Sequence, residues 1–393
     1  MISADKKSAG SANASNASGS ANASGSANTS GSANASVERR VQLGLCCLNT
    51  ILRKQKPPIF ASRKMIIRTI EERGIDILKE KILQNLEDTL TMIDWNERNG
   101  IRVLRLSSEL FPHKSNKKVE AYSFDFAKEL LGRIGEKARK LGHRLTFHPG
   151  QYNVVGTPCK NAFEQTVRDL SYHADVLDLI NAGDDSVMVV HGGGMYGDKE
   201  ATKQRWCEQY LTLPEKCQRR LVLENCEKSF SIKDCLEISE QVGVPIVFDT
   251  HHFACYSKLH PTEIFKEAGE YIPAILETWS RRNIKPKFHV SEQGSGRVGH
   301  HSDYIEIIPE YLLEIPEKYN TNIDIMIEAK AKEQAINKLY LKYPELNCLN
   351  VRKSASNTST LHREKETSIR KKKKLVIKEE IAEEPDIITK ILN

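Results

Sequence analysis

No two cysteines of this 393-residue chain stand in a C-x-x-C arrangement, although nine cysteines are present. They are scattered, with Cys46 and Cys47 adjacent inside an apolar run. That scatter predicts structural thiols in a reduced, intracellular protein. Long apolar runs are missing as well. None approaches the ~18 residues needed to cross a bilayer, and the first residues lack the apolar core of a secretory signal, so no membrane role is expected. Neither sign of charge dominates: 58 Lys and Arg face 52 Asp and Glu, for a net +6. That balance permits a nucleic-acid partner without arguing for one. No Gly-rich phosphate loop follows the first apolar run, which counts against an open dinucleotide-binding sheet. No Ser-His-Asp or Cys-His arrangement offers itself for nucleophilic catalysis.

What is present falls into three parts. Residues 8–36 repeat Ser-Ala-Asn-Ala-Ser-Gly almost without variation. A segment with nothing to bury cannot repay its ordering entropy, so 1–36 reads as a disordered leader. Triplets such as Asn13-Ala14-Ser15 fall out of the repeat and are not read as glycosylation sites. Residues 347–393 are again polar and charge-blocked. The basic run 370–374 is followed by Glu379, Glu380, Glu383, Glu384 and Asp386, so this tail largely cancels itself. It reads as disordered, with the basic run a weak nuclear-targeting candidate.

Between them, 37–346 alternates regularly. Short apolar runs occur at 41–48, 102–106, 144–147, 186–190, 219–223, 245–248, 286–290 and 323–327. Segments of helical periodicity separate them, among them 82–99, 124–141, 163–180 and 232–242. Eight strand-like runs, each followed by a helical or long connecting segment, predict an α/β fold of the (β/α)8 TIM-barrel type.

The chemistry gathers where these runs end. His113 closes "RLSSELFPH", His148 "RLTFH", His191 "VMVVH", Glu224 "RLVLE", Asp249 "PIVFD" and Glu328 "DIMIE"; His252 lies just past Asp249, and His289 sits in "PKFHV". In a barrel these strand ends converge on one face, where active sites of this fold lie. Carboxylates crowded there could not all stay ionised unless cations neutralised them. A His/Asp/Glu donor set without thiolates points to Zn²⁺, Mn²⁺ or a similar ion. So many donors exceed what one ion needs, which predicts a cluster of two or three. Such a cluster suits phosphodiester hydrolysis, and spacing alone leaves a metal-dependent sugar isomerase open. Lys287 shares a strand face with His289. An ammonium there either offsets a carboxylate or bound phosphate, or is modified. Around the expected mouth, Arg144, Lys160, Lys285 and Arg297 are candidates for phosphate contacts.

At these residues the chain resembles the UV damage endonuclease family, metal-dependent barrel nucleases that incise DNA 5′ to UV photoproducts. The resemblance is carried in order by "RVQLGLCCLNT", "RVLRLSSELFPH", "RLTFHPGQY", "VMVVHGGG", "RLVLENCE", "VFDTHHF", "KFHVSEQG", "GHHSDYI" and "IDIMIEAKAKEQA". It implies metal ligation by His113, His148, His191, Glu224, Asp249, His252, His289, His301 and Glu328, with Lys287 carboxylated into a bridging ligand. Glu224, Asp249, Lys287 and Glu328 are then the catalytic set. Mn²⁺ is the first candidate ion, with Zn²⁺ and Mg²⁺ behind it. It also implies that Gln151 and Tyr152 probe the duplex at the lesion and that Asn49 lies near the lesion pocket. Leu45 departs from an aromatic found there in some relatives. The implied partner is UV-damaged double-stranded DNA, bound by a monomer with no small-molecule cofactor. An abasic-site endonuclease on the same scaffold and a non-catalytic damage-binding protein are the alternatives.

Overall fold

Every one of the eight apolar runs carries a strand: β1 (Val41–Cys46), β2 (Val103–Arg105), β3 (Arg144–Thr146), β4 (Met188–His191), β5 (Leu221–Glu224), β6 (Ile246–Asp249), β7 (Lys287–Val290) and β8 (Ile323–Ile327). The structure is a computed structural model and describes residues 40–350; the leader at 1–36, the basic run at 370–374 and the tail from 351 lie outside the described residues. All strand pairs are parallel, in the order β3-β2-β1-β8-β7-β6-β5-β4. The two end strands meet through a single parallel bridge, Phe147 to Met188. Two hydrogen bonds make it, from Phe147 N to Val187 O at 2.9 Å and from Val189 N to Phe147 O at 3.0 Å. The sheet therefore closes into the expected (β/α)8 barrel.

The strands read as continuous apolar runs because both their faces are covered, as parallel sheets require; β1, β5, β6, β7 and β8 are buried along their whole length. The helices bury one stripe each. In Lys128–Leu141 the buried residues are Leu131, Ile134, Gly135 and Ala138, one face of a 3.6-residue period. The helix Ile232–Val242 has the expected bounds and opens with a reciprocal capping box between Ser231 and Asp234. Asp76–Arg98 starts earlier than 82, because Leu78 extends the buried stripe of Ile82 and Leu86 by one turn. Order also continues past 346: Cys348 is buried, 3.7 Å from the amide nitrogen of Gln42 on β1. Among the described residues no helix is long and apolar enough to cross a membrane.

Alternate residues of each strand point into the barrel, stacking its interior in three levels. Cys46, Val103 and Met326 form a small apolar cluster there, separate from the main core between sheet and helices. Gly44 lies in the same level because a Cβ on it would meet Met326 Cε at 2.9 Å. Beneath this cluster, at the start of the strands, Asp324, which the register pairs with Lys287, accepts from Arg144 at 2.9 Å and pairs with Lys285 at 2.7 Å. Arg144 also donates to the Asp185 and Lys285 carbonyls. Arg144 and Lys285 thus plug the closed end of the barrel and face away from the mouth, which corrects their reading as phosphate contacts. Charged residues at the two ends of a short strand look alike in sequence and sit on opposite faces of the fold.

Candidate metal centre

The uppermost level gathers the polar strand ends. Strand register places His191 beside Glu224 and Asp249 beside His289. Glu224 is the hub. Its Oε2 lies 3.0 Å from His148 Nε2 and 3.1 Å from His191 Nε2, and its Oε1 lies 2.8 Å from His289 Nδ1 and 3.6 Å from His252 Nδ1. Burial opposes its charge, yet His289, His191 and His148 together hold the carboxyl well below the usual range. Two sets of donor atoms are close enough to share an ion: His148, His191 and Glu224, and Glu224, Asp249 and His289.

Asp249 does two things with two oxygens. Its Oδ1 accepts from the backbone N–H of His251 and His252, each at 2.8 Å, and so caps the helix Thr250–Leu259. Its Oδ2 is buried and has no hydrogen-bond partner. Asn225 clamps the backbone here, donating to Asp249 O at 3.0 Å and accepting from Asp249 N at 2.8 Å. Burial, with the charges of Glu224 and Glu328, pushes the Asp249 carboxyl up to about 7 against the pull of His252. A buried carboxylate oxygen without a partner is expensive. The donor chemistry and this orphaned atom both fit a divalent cation.

His252 is oriented by its second ring nitrogen, as metal-binding imidazoles generally are. His252 Nδ1 lies 3.0 Å from the Asn225 carbonyl, which leaves Nε2 available. Burial works against its protonation, but Asp249 and Glu224 outweigh that and raise the imidazole to about 9. Burial takes His289 down to about 4. His301 comes from the long loop after β7, which folds back through an antiparallel bridge between Gln293 and His301. Its Nδ1 lies 3.9 Å from Glu328 Oε2. Lys287 is wholly buried, and its Nζ sits 2.6 Å from His289 Nε2. Burial, reinforced by Arg105, lowers its amine to about 8.

Eight of the expected donors, His148, His191, Glu224, Asp249, His252, His289, His301 and Glu328, thus converge with Lys287 on one face. His113 does not join them. Its Nε2 lies 2.6 Å from the carbonyl of Met65, just before the helix Ile67–Arg73, and its Nδ1 3.3 Å from Asn116 in its own loop, so both ring nitrogens are engaged away from the donors grouped on Glu224. Gln151 and Tyr152 stand exposed in the loop that follows His148, Tyr152 being 60% exposed. Asn49 is fully buried, its side chain accepting from Leu52 N to cap the short helix Thr50–Arg53. Its Nδ2 has no partner.

Sequence reading missed four residues. Arg105 ends β2 and donates to Glu328 Oε1 at 2.5 Å and to Cys47 Sγ at 3.3 Å; alternation from inward-facing Val103 signals it. Asn225 follows Glu224 directly and carries no signal of its own. Asp169, on the helix Lys160–Leu179, accepts from Tyr152 at 3.2 Å, Asn153 at 2.7 Å and Ser115 at 2.6 Å. Glu333 accepts from the backbone N–H of Thr50 at 2.7 Å and Ile51 at 2.9 Å. The last two are buried carboxylates that pin the loops carrying Tyr152 and Asn49.

A closed parallel barrel with histidines and carboxylates at the carboxyl ends of its strands defines a TIM-barrel enzyme with a centre suited to divalent ions. The model of the family UV-endonuclease UvdE matches residues 41–358. A protein of Acanthamoeba polyphaga mimivirus is 40% identical over 308 residues, covering 77% of this chain and 91% of its own length. The UV-damage endonuclease of Neurospora crassa is 38% identical, over 75% of this chain and 50% of its own. The chain therefore spans nearly all of the viral relative and half of the fungal one. The solved structure of SacUVDE is 26% identical with a TM-score of 0.63, covering 81% of this chain and 99% of that one. The chain belongs to the UV-endonuclease UvdE family.

Proposed function

We propose that this chain is a DNA-repair endonuclease that uses divalent metal to hydrolyse a phosphodiester bond of duplex DNA 5′ to UV photoproducts, pyrimidine dimers and 6-4 photoproducts among them. The observation that carries the metal part is the orphaned Oδ2 of Asp249, a residue that groups with Glu224 and His289 closely enough to share an ion. His148, His191 and Glu224 would hold one ion and Glu224, Asp249 and His289 another, with His252, His301 and Glu328 within reach of both or of a third. Mn²⁺ is the first candidate, ahead of Zn²⁺ and Mg²⁺. Bound there, such ions lower the pKa of water and stabilise charge on the phosphoryl and leaving oxygens.

The chain's own residues prepare that chemistry. Arg105 keeps Glu328 ionised and aimed, Asn225 fixes the strand end that presents Asp249, and the Asn225 carbonyl sets the His252 ring. Lys287 has the chemistry of a carboxylation site: a buried amine lowered to about 8 is partly neutral near pH 7. The neutral amine adds carbon dioxide, an N–C bond forms and one proton leaves, and a cation becomes an anionic ligand. Gln151 and Tyr152, at the tip of the loop behind His148, would fill the stack where the damaged dinucleotide leaves it, and Asn49 would lie near the lesion pocket, holding the start of the helix Thr50–Arg53. A distorted pyrimidine pair costs less to extrude than normal bases, which is a source of selectivity. The barrel at 37–346 would carry this activity as a monomer without a small-molecule cofactor.

Incision of duplexes bearing one defined thymine dimer tests the reading. Wild type nicks 5′ to the dimer with Mn²⁺ and not with chelator, and Glu224→Ala binds the damaged duplex without nicking it. Nicking that survives chelation, or preference for an abasic duplex, overturns it.

A further inference from the structure

Two adjacent loops of the barrel mouth are built on one plan, and only one of them has been given a role. After β3, His148 is followed by a turn and by Gly150-Gln151-Tyr152. After β4, His191 is followed by three glycines and then Met195 and Tyr196. In each, a donor of the centre stands at the strand end or two residues past it, and an exposed tyrosine follows a glycine two residues before it. Each ring lies over that glycine: a Cβ on Gly150 would meet Tyr152 Cε1 at 2.5 Å, and one on Gly194 would meet Tyr196 Cζ at 3.6 Å. The loops also abut. Gly193 has φ 94° and no room for a Cβ, which would lie 2.3 Å from Val154 of the neighbouring loop.

Three features of the second loop are costly for a protein that only needs to connect a strand to a helix. Tyr196 is 50% exposed and Met195 38% exposed. Tyr196 holds φ 51°, a left-handed conformation that disfavours bulky residues. The loop is nonetheless held firmly. Met195 O accepts from Asp198 N at 3.1 Å and from Thr202 Oγ1 at 2.8 Å, and Asp198 caps the helix Lys199–Leu211. The guanidinium of Arg205 stands 5.8 Å from the Tyr196 ring and is itself anchored on Gly156 O at 2.8 Å. A rigid, strained backbone that shows an aromatic ring and a thioether to solvent, with a fixed cation beside them, is arranged for a flat, anionic ligand.

We propose that Met195 and Tyr196 form a second DNA-contacting platform that takes the face of a nucleobase next to the metal centre, with Arg205 towards the adjoining phosphate. The inference rests on the endonuclease reading. In it, Gly150-Gln151-Tyr152 and Gly194-Met195-Tyr196 engage the duplex from two abutting loops.

Tyr196→Asn is the discriminating variant, because asparagine accepts a left-handed backbone better than tyrosine does. It removes the ring and relieves strain together. Binding to a fluorescent duplex with one thymine dimer should weaken ~10-fold or more, the loss expected for one stacked base. Metal content should be unchanged, and thermal stability should be unchanged or higher. Tyr196→Phe should keep wild-type affinity. A merely structural tyrosine predicts the reverse, lower stability with normal affinity, and that result overturns the inference. So does wild-type affinity in Tyr196→Asn while wild type still prefers the damaged duplex. If wild type itself shows no preference for the damaged duplex, the endonuclease reading fails and takes this platform with it.

Discussion

Stripped of metal, the protein should be weakened by its own Asp249 as pH rises, and replacing that residue by asparagine should strengthen it. Burial is the main reason the Asp249 carboxyl rises from 3.8 to about 7. Each tenfold change in acidity is worth ~1.4 kcal/mol, so about three such steps amount to on the order of 4 kcal/mol. The sign comes from linkage. The folded carboxyl keeps its proton longer than the unfolded one, so the unfolded chain ionises first as pH climbs past about 4. Stability is therefore lost between there and about pH 7, and the loss is constant beyond. Asp249→Asn keeps an acceptor for the backbone of His251 and His252, hence the helix cap, and has nothing to ionise. Calorimetric unfolding of chelator-treated protein at pH 5 and pH 8 should show the variant gaining on wild type by roughly 3 kcal/mol over that interval. Added Mn²⁺ should reverse the order, because only wild type presents the charged oxygen. A gap between the two proteins that is flat with pH, or that moves in favour of wild type, refutes the reasoning.

Asp324 should behave with the opposite sign. Burial opposes its charge, but Lys285 and Arg144 hold the carboxyl below its ordinary value, so its contribution is present above the usual carboxylate range and lost as pH falls through the folded pKa. Asp324→Asn strands the buried Arg144 and the half-buried Lys285 and should cost about 3 kcal/mol at pH 7 in urea titration, with a deficit that shrinks in acid. Lys287→Gln should remove the mass of one carbon dioxide from the native protein and reduce bound metal; native mass spectrometry and metal analysis check both. Tyr152→Ala should lower preference for damaged over intact duplex by ~10-fold or more while metal content stays at the wild-type level, in paired binding and metal assays.

The strands were legible because a parallel barrel buries both faces of each one, so apolar runs stand out without any need for alternation. Most of the centre was legible for the same reason: a polar residue closing such a run has few other places to be. His113 stands apart because it closes its segment only after a seven-residue excursion from β2, and a loop of that length can turn a side chain anywhere. Arg144 and Lys285 misled because charge at a strand's entrance resembles charge at its exit. Arg105 was recoverable from strand alternation. Asp169 and Glu333 were not, since each sits on a helix far along the chain from the loop it pins. Asn49 was read as a pocket residue, and its sequence position shows nothing of the cap it forms.

The barrel is a ring with one weak joint. Seven of its seams are ladders of paired strands, and the eighth, between β3 and β4, is the lone Phe147–Met188 bridge. His148 stands directly above one side of that joint, His191 above the other, and both reach Glu224. An ion gripped by these three groups would work as a clasp across the opening, where the backbone itself contributes only the two hydrogen bonds of the bridge. Loading the protein would then tighten the barrel circumferentially before any DNA arrives. The signature would be local: slower amide exchange at Phe147 and Val189 on metal addition, with the opposite side of the ring unmoved.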